Sequence, residues 1–147
     1  MKIGVATASG IEAVTKRELY KILGKENLAA LDGRIFFSGT WRDVAKCNLL
    51  LRTANRVEIV AGEFRAADFD ELYEGVSAIP WEDYIPKNGN FTLSAKSVNC
   101  RLFAYSAIQS VSEKAICERL KKRYGVTELP KSGARYRIEV AGRKDFF

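Results

Sequence analysis

The dipeptide Asp32-Gly33 does more than any other feature to limit the folds open to this 147-residue chain. It stands between two short, mainly apolar runs, 28–31 (LAAL) and 34–37 (RIFF). Asp-Gly between such runs favours the positive φ angles that a two-residue hairpin turn requires. The sequence therefore predicts a β-hairpin at this point.

Helical patterns lie on both sides of this hairpin. Apolar residues keep helical spacing over 11–24, and residues 9–12 (SGIE) have the form of a capping box at the start. A second helix, over residues 40–51, starts with a threonine that can cap it. Residues 2–6 and 56–61 alternate as strands and complete the order β-α-β-β-α-β. This is the ferredoxin-like order, since a hairpin between two crossover helices fits few other small folds.

A second unit begins near Phe64. Its predicted elements are a helix capped by Asp68 or Asp70, a short turn at 80–84, a strand at 91–95, a helix at 106–124 and a strand at 135–141. We therefore predict an α+β protein with a ferredoxin-like N-terminal domain at 1–63 and an α/β domain at 64–147. Phe146-Phe147 follow a turn-like stretch and resemble the start of a further strand, so we expect the chain to be truncated there.

Several classes of function are disfavoured by the residue types of the chain. There is no histidine, which removes Ser/His and Cys/His nucleophile pairs. The three cysteines have no CxxC spacing, so we expect reduced structural thiols and no metal site. No apolar run is long enough to span a membrane, and residues 1–5 lead into a strand pattern rather than a signal peptide. We therefore expect a cytoplasmic protein without a membrane partner.

Positive charge is concentrated in the later part of the chain. Residues 1–86 hold 11 basic and 13 acidic side chains, a net charge of −2, whereas residues 87–147 hold 13 basic and 5 acidic, a net charge of +8. Such a surface favours a polyanion, because binding releases the counterions of a phosphate backbone. Alternatively, the basic face of the 106–124 helix is only solvated, and its charges complement the helix dipole.

The residues that we expect to bind a nucleic acid surround this helix. Phe103 or Tyr105 can stack on an unpaired base, although each could equally be a core or loop anchor. The expected phosphate contacts are Arg101, Lys114, Lys121, Lys122, Arg135 and Arg137. No catalytic residue is predicted within the chain.

Four stretches carry a resemblance to one protein family: residues 8–19 (ASGIEAVTKREL), 49–64 (LLLRTANRVEIVAGEF), 79–97 (IPWEDYIPKNGNFTLSAKS) and 101–125 (RLFAYSAIQSVSEKAICERLKKRYG). The chain resembles the N-terminal part of THUMP-containing, S-adenosylmethionine-dependent RNA methyltransferases. It is most similar to the bacterial rRNA guanine-N2 methyltransferases that act on large-subunit rRNA. The resemblance implies a ferredoxin-like domain followed by a THUMP domain that binds RNA. It also implies RNA-binding roles for Lys96, Arg101, Ser106, Gln109 and Lys114.

The catalytic domain of that family, with its glycine-rich cofactor loop, is absent from the sequence. We therefore expect an RNA-capturing fragment that binds no cofactor itself, from a parent enzyme that uses S-adenosylmethionine. Structured RNA, and rRNA above all, is the expected partner. Three alternatives stay open: the THUMP region of a tRNA-modifying enzyme such as a thiouridine synthase, a protein-interaction or small-ligand module with a coincidental charge split, and an enzyme of the acylphosphatase type.

Overall fold

The computed structural model describes residues 1–31 and 33–147. The chain forms two compact units, Met1–Val60 and Ala61–Phe147. Asp32, the first residue of the predicted hairpin turn, lies outside the described residues. Its neighbour Gly33 has a φ of 71°, the left-handed conformation that glycine adopts without strain. The strands on either side of this position pair antiparallel, as the sequence predicts.

The first unit has the predicted order of elements. They are β1 (Lys2–Thr7), α1 (Glu12–Leu23), β2 (Ala29–Leu31), β3 (Arg34–Ser38), α2 (Trp41–Leu50) and β4 (Ala54–Val60). The strands form one antiparallel sheet in the order β2-β3-β1-β4. The ferredoxin-like arrangement is therefore confirmed for this unit.

Alternation along β1 places the core of the first unit on one face of the sheet. Ile3 and Val5 point to the same face, because side chains two residues apart in a strand do so, and both are fully buried. They pack with Leu19 of α1 and Cys47 of α2. Both helices therefore cover this face of the sheet.

The two helices of the first unit differ in how well the sequence predicts their starts. For α2, the hydroxyl of Thr40 accepts the N–H of Asp43 and the carboxylate of Asp43 accepts the N–H of Thr40, which is a complete capping box. The capping box predicted before α1 is wrong. Ile11 occupies the N-cap there without a capping side chain, and Glu12 accepts the N–H of Gly10 at 2.8 Å.

The second unit is built on a parallel strand–helix–strand crossover. Its elements are α3 (Phe69–Ala78), a single 3-10 turn (Trp81–Asp83), β5 (Asn90–Val98), α4 (Tyr105–Tyr124) and β6 (Arg135–Arg143). β5 and β6 pair over their whole length, from Asn90 opposite Arg135 to Val98 opposite Arg143. Asp68 is the residue that caps α3, since its carboxylate accepts the N–H of Glu71 at 2.8 Å.

Helix α4 forms the centre of the second core. Its residues Ile108, Ile116 and Leu120 are buried, and they belong to one apolar cluster with Leu72 of α3 and Leu93 of β5. The helix packs against α3 and also against the sheet, more closely on β5 than on β6. It therefore lies between α3 and one face of the sheet.

The last two residues turn back toward the start of this unit. Residues 144–145 both have positive φ, 51° and 61°, as in the primed turns that join antiparallel strands. Arg143 and Phe146 exchange hydrogen bonds of 2.7 and 3.0 Å across this turn. Phe147 is buried and exchanges two backbone hydrogen bonds of 2.8 Å with Phe64. The strand-like pattern of the two terminal phenylalanines thus corresponds to short antiparallel bridges.

Candidate nucleic-acid interface

The boundary between the two units differs from the position, after residue 86, at which the charged side chains were counted in the sequence. Residues 1–60 hold 10 basic and 6 acidic side chains, a net charge of +4, and residues 61–147 hold 14 basic and 12 acidic, a net charge of +2. Seven of the acidic side chains of the second unit fall within residues 61–86, which contain a single basic residue. The contrast between −2 and +8 therefore arises within the second unit and does not separate one unit from the other.

One face of the β5–β6 sheet is exposed and basic. α4 covers the face that carries Leu93 and Val140, and the alternate side chains of each strand point the other way. We call this second face the outer sheet face. Its charged residues are Lys96, Arg135, Arg137, Glu139 and Arg143, four basic and one acidic, a net charge of +3.

Partners on the outer sheet face leave part of its charge uncompensated. Lys96 forms an ion pair with Glu139 at 2.9 Å. Arg135 and Arg137 are exposed, and no acidic side chain of the described residues lies within 4.0 Å of either guanidinium. A polyanion can therefore reach these two arginines without displacing an ion pair.

A further group of predicted residues lies at the carboxyl ends of the two strands, where the β5–α4 loop meets the turn after β6. Arg101 ties the two segments together, since its guanidinium lies 3.6 Å from the Asp145 carboxylate and its N–H donates to that carboxylate at 2.7 Å. Phe103 is 80% exposed and is therefore no core anchor. The strand-end surface, as we name it, consists of Arg101, Phe103, Tyr105, Ser106 and Lys144.

Tyr105 has a structural contact as well as an exposed ring. Its hydroxyl donates to the Ser97 carbonyl at 3.2 Å, which fixes the start of α4 against β5. The residue is still 54% exposed, so part of the ring stays open to solvent. It is therefore a loop anchor that also offers an aromatic surface.

The first turn of α4 adds backbone donors to the strand-end surface. Ala104 is the N-cap, no side chain caps this end, and the first turn has no acidic residue. Free N–H groups and the positive end of the helix dipole favour an anion. This uncapped helix start was not predicted, although the sequence carries its signal: position 104 lacks the Ser, Thr, Asp or Asn that usually caps a helix.

Two predicted residues in the middle of α4 are engaged within the second unit. Gln109 donates its side-chain amide to the Leu93 carbonyl at 2.5 Å, which fixes the helix on the edge of β5. Lys114 lies 3.9 Å from Glu118, one turn further along, and is otherwise exposed. Such a pair contributes only about 0.2–0.5 kcal/mol, so the ammonium group of Lys114 remains available to a ligand.

The carboxyl end of α4 is neutralised only in part. Arg119 binds Glu82 through two hydrogen bonds, of 2.8 and 2.9 Å, and this pair lowers the pKa of the Glu82 carboxyl to about 2. Arg123 lies 3.7 Å from the same carboxylate. Lys121 and Lys122, in contrast, have no acidic side chain within 4.0 Å among residues 1–31 and 33–147.

The predicted binding residues therefore fall into separate groups. The outer sheet face and the strand-end surface are continuous, since Val98 and Arg143 are the last pair of the sheet. Lys121 and Lys122 lie some 16 residues after the start of α4, roughly 25 Å at 1.5 Å per residue. They also belong to the helix that covers the opposite face of the sheet. Lys96, Arg135 and Arg137 thus share the outer sheet face, and Arg101, Phe103, Tyr105 and Ser106 share the strand-end surface. Gln109, Lys114, Lys121 and Lys122 lie further along α4, on the side of the sheet that this helix covers.

Two other kinds of site are not found in the part of the chain that the structure describes. None of its helices is long and apolar enough to cross a membrane. None of its His, Cys, Asp and Glu side chains form a group of three or more that could hold a metal ion.

Comparison with protein families assigns both units. The model of the RlmL ferredoxin-like domain matches residues 2–58, and the model of the THUMP domain matches residues 66–147, more than half of the chain. The chain belongs to the THUMP family. Its second unit is accordingly called the THUMP unit below, and the predicted order of a ferredoxin-like domain followed by a THUMP domain is confirmed.

Relatives of this THUMP protein are described as methyltransferases. YpsC of Bacillus subtilis, described as an RNA methyltransferase, is 38% identical over 144 residues, 96% of this chain and 37% of that protein. The ribosomal RNA large subunit methyltransferase K/L of Psychromonas ingrahamii is 31% identical over 82% of this chain and 16% of its own length. The tRNA (guanine(6)-N2)-methyltransferase of Methanocaldococcus jannaschii is 33% identical over 60% of this chain and 24% of its own length.

Solved structures extend the comparison to the fold. SMU.472, described as a methyltransferase and solved in complex with SAH, matches 99% of this THUMP chain and 39% of its own length, with a TM-score of 0.93 and 38% identity. A Listeria monocytogenes protein described as an N6-adenine-specific DNA methylase also has a TM-score of 0.93, with 37% identity, over 99% of this chain and 38% of its own. The chain therefore spans well under half the length of the relatives that it matches.

Proposed function

We propose that this chain captures RNA through the outer sheet face and the strand-end surface, for a methyltransferase region elsewhere in the full protein. The observation that carries the proposal is one continuous surface of the THUMP unit. It begins at Arg135 and Arg137, which have no acidic partner among the described residues, and ends at the exposed ring of Phe103. Each part of this surface suits a different part of an RNA strand.

The chemistry of the surface fits a nucleic acid better than an acidic protein. A guanidinium group presents a planar set of donors that matches a phosphate. An exposed aromatic ring such as Phe103 stacks on an unpaired base, and the uncapped amides at the start of α4 suit a further phosphate. An acidic peptide would use the cations but would leave the stacking position empty.

The finer proposal concerns the reaction of the parent protein. We propose an S-adenosylmethionine-dependent enzyme that methylates N2 of a guanine in rRNA. Similarity to the K/L methyltransferase of large-subunit rRNA supports the substrate, and the SAH complex of SMU.472 supports the cofactor. We expect the cofactor to bind in the methyltransferase region of the full protein. The second candidate is a tRNA guanine-N2 methyltransferase, which the similarity to the Methanocaldococcus jannaschii enzyme supports.

Salt-dependent RNA titration tests the binding function. Fluorescence anisotropy of a labelled, structured rRNA fragment is measured at several salt concentrations for the wild type, for Arg135→Gln/Arg137→Gln and for Lys121→Gln/Lys122→Gln. The two double variants lose the same charge from different surfaces. The association constant K falls as the salt concentration rises, so a plot of log K against log[salt] has a negative slope. We expect this slope to become less steep by about 1.4–1.8 in the arginine variant, because two phosphate contacts are lost, and to stay unchanged in the lysine variant.

Phe103→Ala separates stacking from charge. We expect it to weaken binding by about 1–3 kcal/mol without changing the salt slope, since the ring contacts a base and no phosphate. Equal losses in both double variants would contradict the proposed surface, and a wild type without salt-dependent binding would favour a protein-interaction module. Competition between the rRNA fragment and a tRNA then distinguishes the two RNA substrates.

A further inference from the structure

The first unit carries a basic groove that the charge count along the sequence did not reveal. It lies between α1 and the segment that follows α2, and its volume is about 420 Å³. The residues that line it are Val14, Arg17, Glu18, Lys21, Arg52 and Thr53. Three of the six are cationic and one is anionic, a net charge of +2.

Hydrogen bonds to Glu18 hold one wall of the groove in place. Its carboxylate accepts the N–H of Arg52 at 3.0 Å, and it accepts both the N–H and the hydroxyl of Thr53, at 3.1 and 2.7 Å. These hydrogen bonds lower the pKa of the Glu18 carboxyl, with the Thr53 hydroxyl as the largest cause. The carboxylate of Glu18 is therefore committed to the backbone of the wall.

A buried hydroxyl network ties the same wall to the sheet. Thr15 of α1 is fully buried, and its hydroxyl lies 2.9 Å from that of Thr53 and 3.0 Å from that of Thr7 in β1. Thr7 in turn donates to the Thr53 carbonyl at 2.9 Å. The backbone at Arg52 and Thr53 is thus held by Glu18 and by the hydroxyl network, and the Cα atom of Arg52 has a defined position in the wall of the groove.

The three cations of the groove are exposed, and the charge of Arg52 helps to lower the pKa of the Glu18 carboxyl. Arg17 and Lys21 stand one turn apart on α1 and so lie on the same side of the helix. Within residues 1–31 and 33–147, no acidic oxygen lies within 4.0 Å of the charged groups of Arg17, Lys21 or Arg52. The groove between α3 and α4 in the THUMP unit is different, because Glu82 there binds Arg119 at 2.8 Å.

We propose that this groove is a second phosphate-binding site, which holds the sugar–phosphate backbone of the nucleic acid bound by the chain. Two arginines and one lysine line the groove, and an arginine guanidinium pairs with phosphate through two hydrogen bonds at once. Val14 is the single apolar side chain of the lining, so the groove offers little to the apolar anchors of a peptide. The proposal rests on the proposed RNA-binding function for the identity of the polyanion.

Charge-matched variants of the intact chain test the groove. Arg17→Gln/Lys21→Gln/Arg52→Gln removes its three cations, and Lys16→Gln/Arg42→Gln/Lys46→Gln removes three cations elsewhere on the helices of the same unit. The labelled rRNA fragment is titrated as above, and circular dichroism checks that each variant is folded. We expect the salt slope to become less steep by about 2 in the groove variant, the change expected for the loss of three phosphate contacts to a single strand. In the matched variant the slope should change by less than half as much.

The possible outcomes separate this site from the proposed function. Loss of RNA binding in the groove variant alone supports the groove, and the same loss with DNA of identical sequence supports recognition of phosphate rather than of the 2′-hydroxyl. Equal slopes in the two triple variants overturn the groove. If Arg135→Gln/Arg137→Gln weakens binding while the groove variant does not, the groove fails and the proposed function stands. If the wild type binds no RNA, the proposed function fails first.

Discussion

Replacing Gly75 of α3 by alanine sets two opposite effects against each other. A Cβ atom at this position would lie 2.5 Å from both Cε2 and Cγ of Phe64, and closer still to its Cδ2. The ring cannot simply move away, because Phe64 exchanges two backbone hydrogen bonds of 2.8 Å with Phe147 and its ring stacks on that of Phe147 at 6.3 Å. Alanine at position 75 therefore overpacks a fixed contact.

The magnitude follows from the two terms. Alanine is favoured over glycine in a helix interior by about 0.8–1.0 kcal/mol. Overpacking of a well-packed site costs about 1–3 kcal/mol, and here the upper part of that range applies because a whole ring is displaced. We therefore expect Gly75→Ala to lower the free energy of unfolding of the THUMP unit by about 1–2 kcal/mol.

The two tryptophans of the chain make this measurable. Trp81 is buried in the THUMP unit and Trp41 is 60% exposed in the first unit, so a Trp41→Phe background leaves one reporter for the unit of interest. Urea unfolding followed by the fluorescence of Trp81 gives the change in free energy.

A double-mutant cycle with Phe64→Ala supplies the control. Without the ring there is nothing for the new methyl group to displace, so we expect Gly75→Ala to become stabilising by about 0.8–1.0 kcal/mol in that background. Stabilisation of similar size in both backgrounds would refute the reasoning, because the helix preference would then act alone.

Two further predictions concern ionisable groups. Because the folded-state pKa of Glu82 is about 2, below its ordinary value of 4.5, its stabilising effect is fully present above pH 4.5 and is lost as the pH falls toward 2. The difference in melting temperature between the wild type and Glu82→Gln should therefore shrink over that range, and a constant difference would contradict the role of the Arg119 pair. Burial raises the pKa of the Cys47 thiol to about 11, so iodoacetamide at pH 8 should modify the half-buried Cys100 well before Cys47, as read by mass spectrometry.

The fold could be predicted wherever local chemistry is decisive. Gly24 and Gly125 each end a helix with positive φ, 66° and 61°, and the strands beside Gly33 pair as the Asp-Gly dipeptide predicts. The start of α1 could not be predicted in this way. Several residues near it can satisfy the same amides, and Glu12 bonds to Gly10 instead of completing a box with Ser9.

The candidate site could be predicted only in part, because charge along a sequence does not say which residues share a face. Alternation in β6 does put Arg135 and Arg137 on one side of the sheet. Lys121 and Lys122 do not share this surface, because they belong to α4, which packs on the opposite face of the sheet. Arg119 is neutralised by Glu82, 37 residues away in the chain, and no local pattern predicts such a pair.

The basic groove of the first unit was missed for a related reason. The window 1–86 combines a unit of net charge +4 with the acidic segment 61–86, so their charges cancel in the count. A charge count over residues 1–60 alone shows the excess of cations in the first unit.

The acidic segment has a consequence for how a ligand arrives. Four of its carboxylates, those of Asp68, Asp70, Glu71 and Glu74, belong to α3 or its cap, and α4 separates α3 from the sheet whose far side bears the arginines. The THUMP unit is therefore an electric dipole. A polyanion near it experiences a torque that turns the arginines toward it before any contact forms. For the RNA binding proposed above, this torque would narrow the rotational search and raise the association rate at low ionic strength.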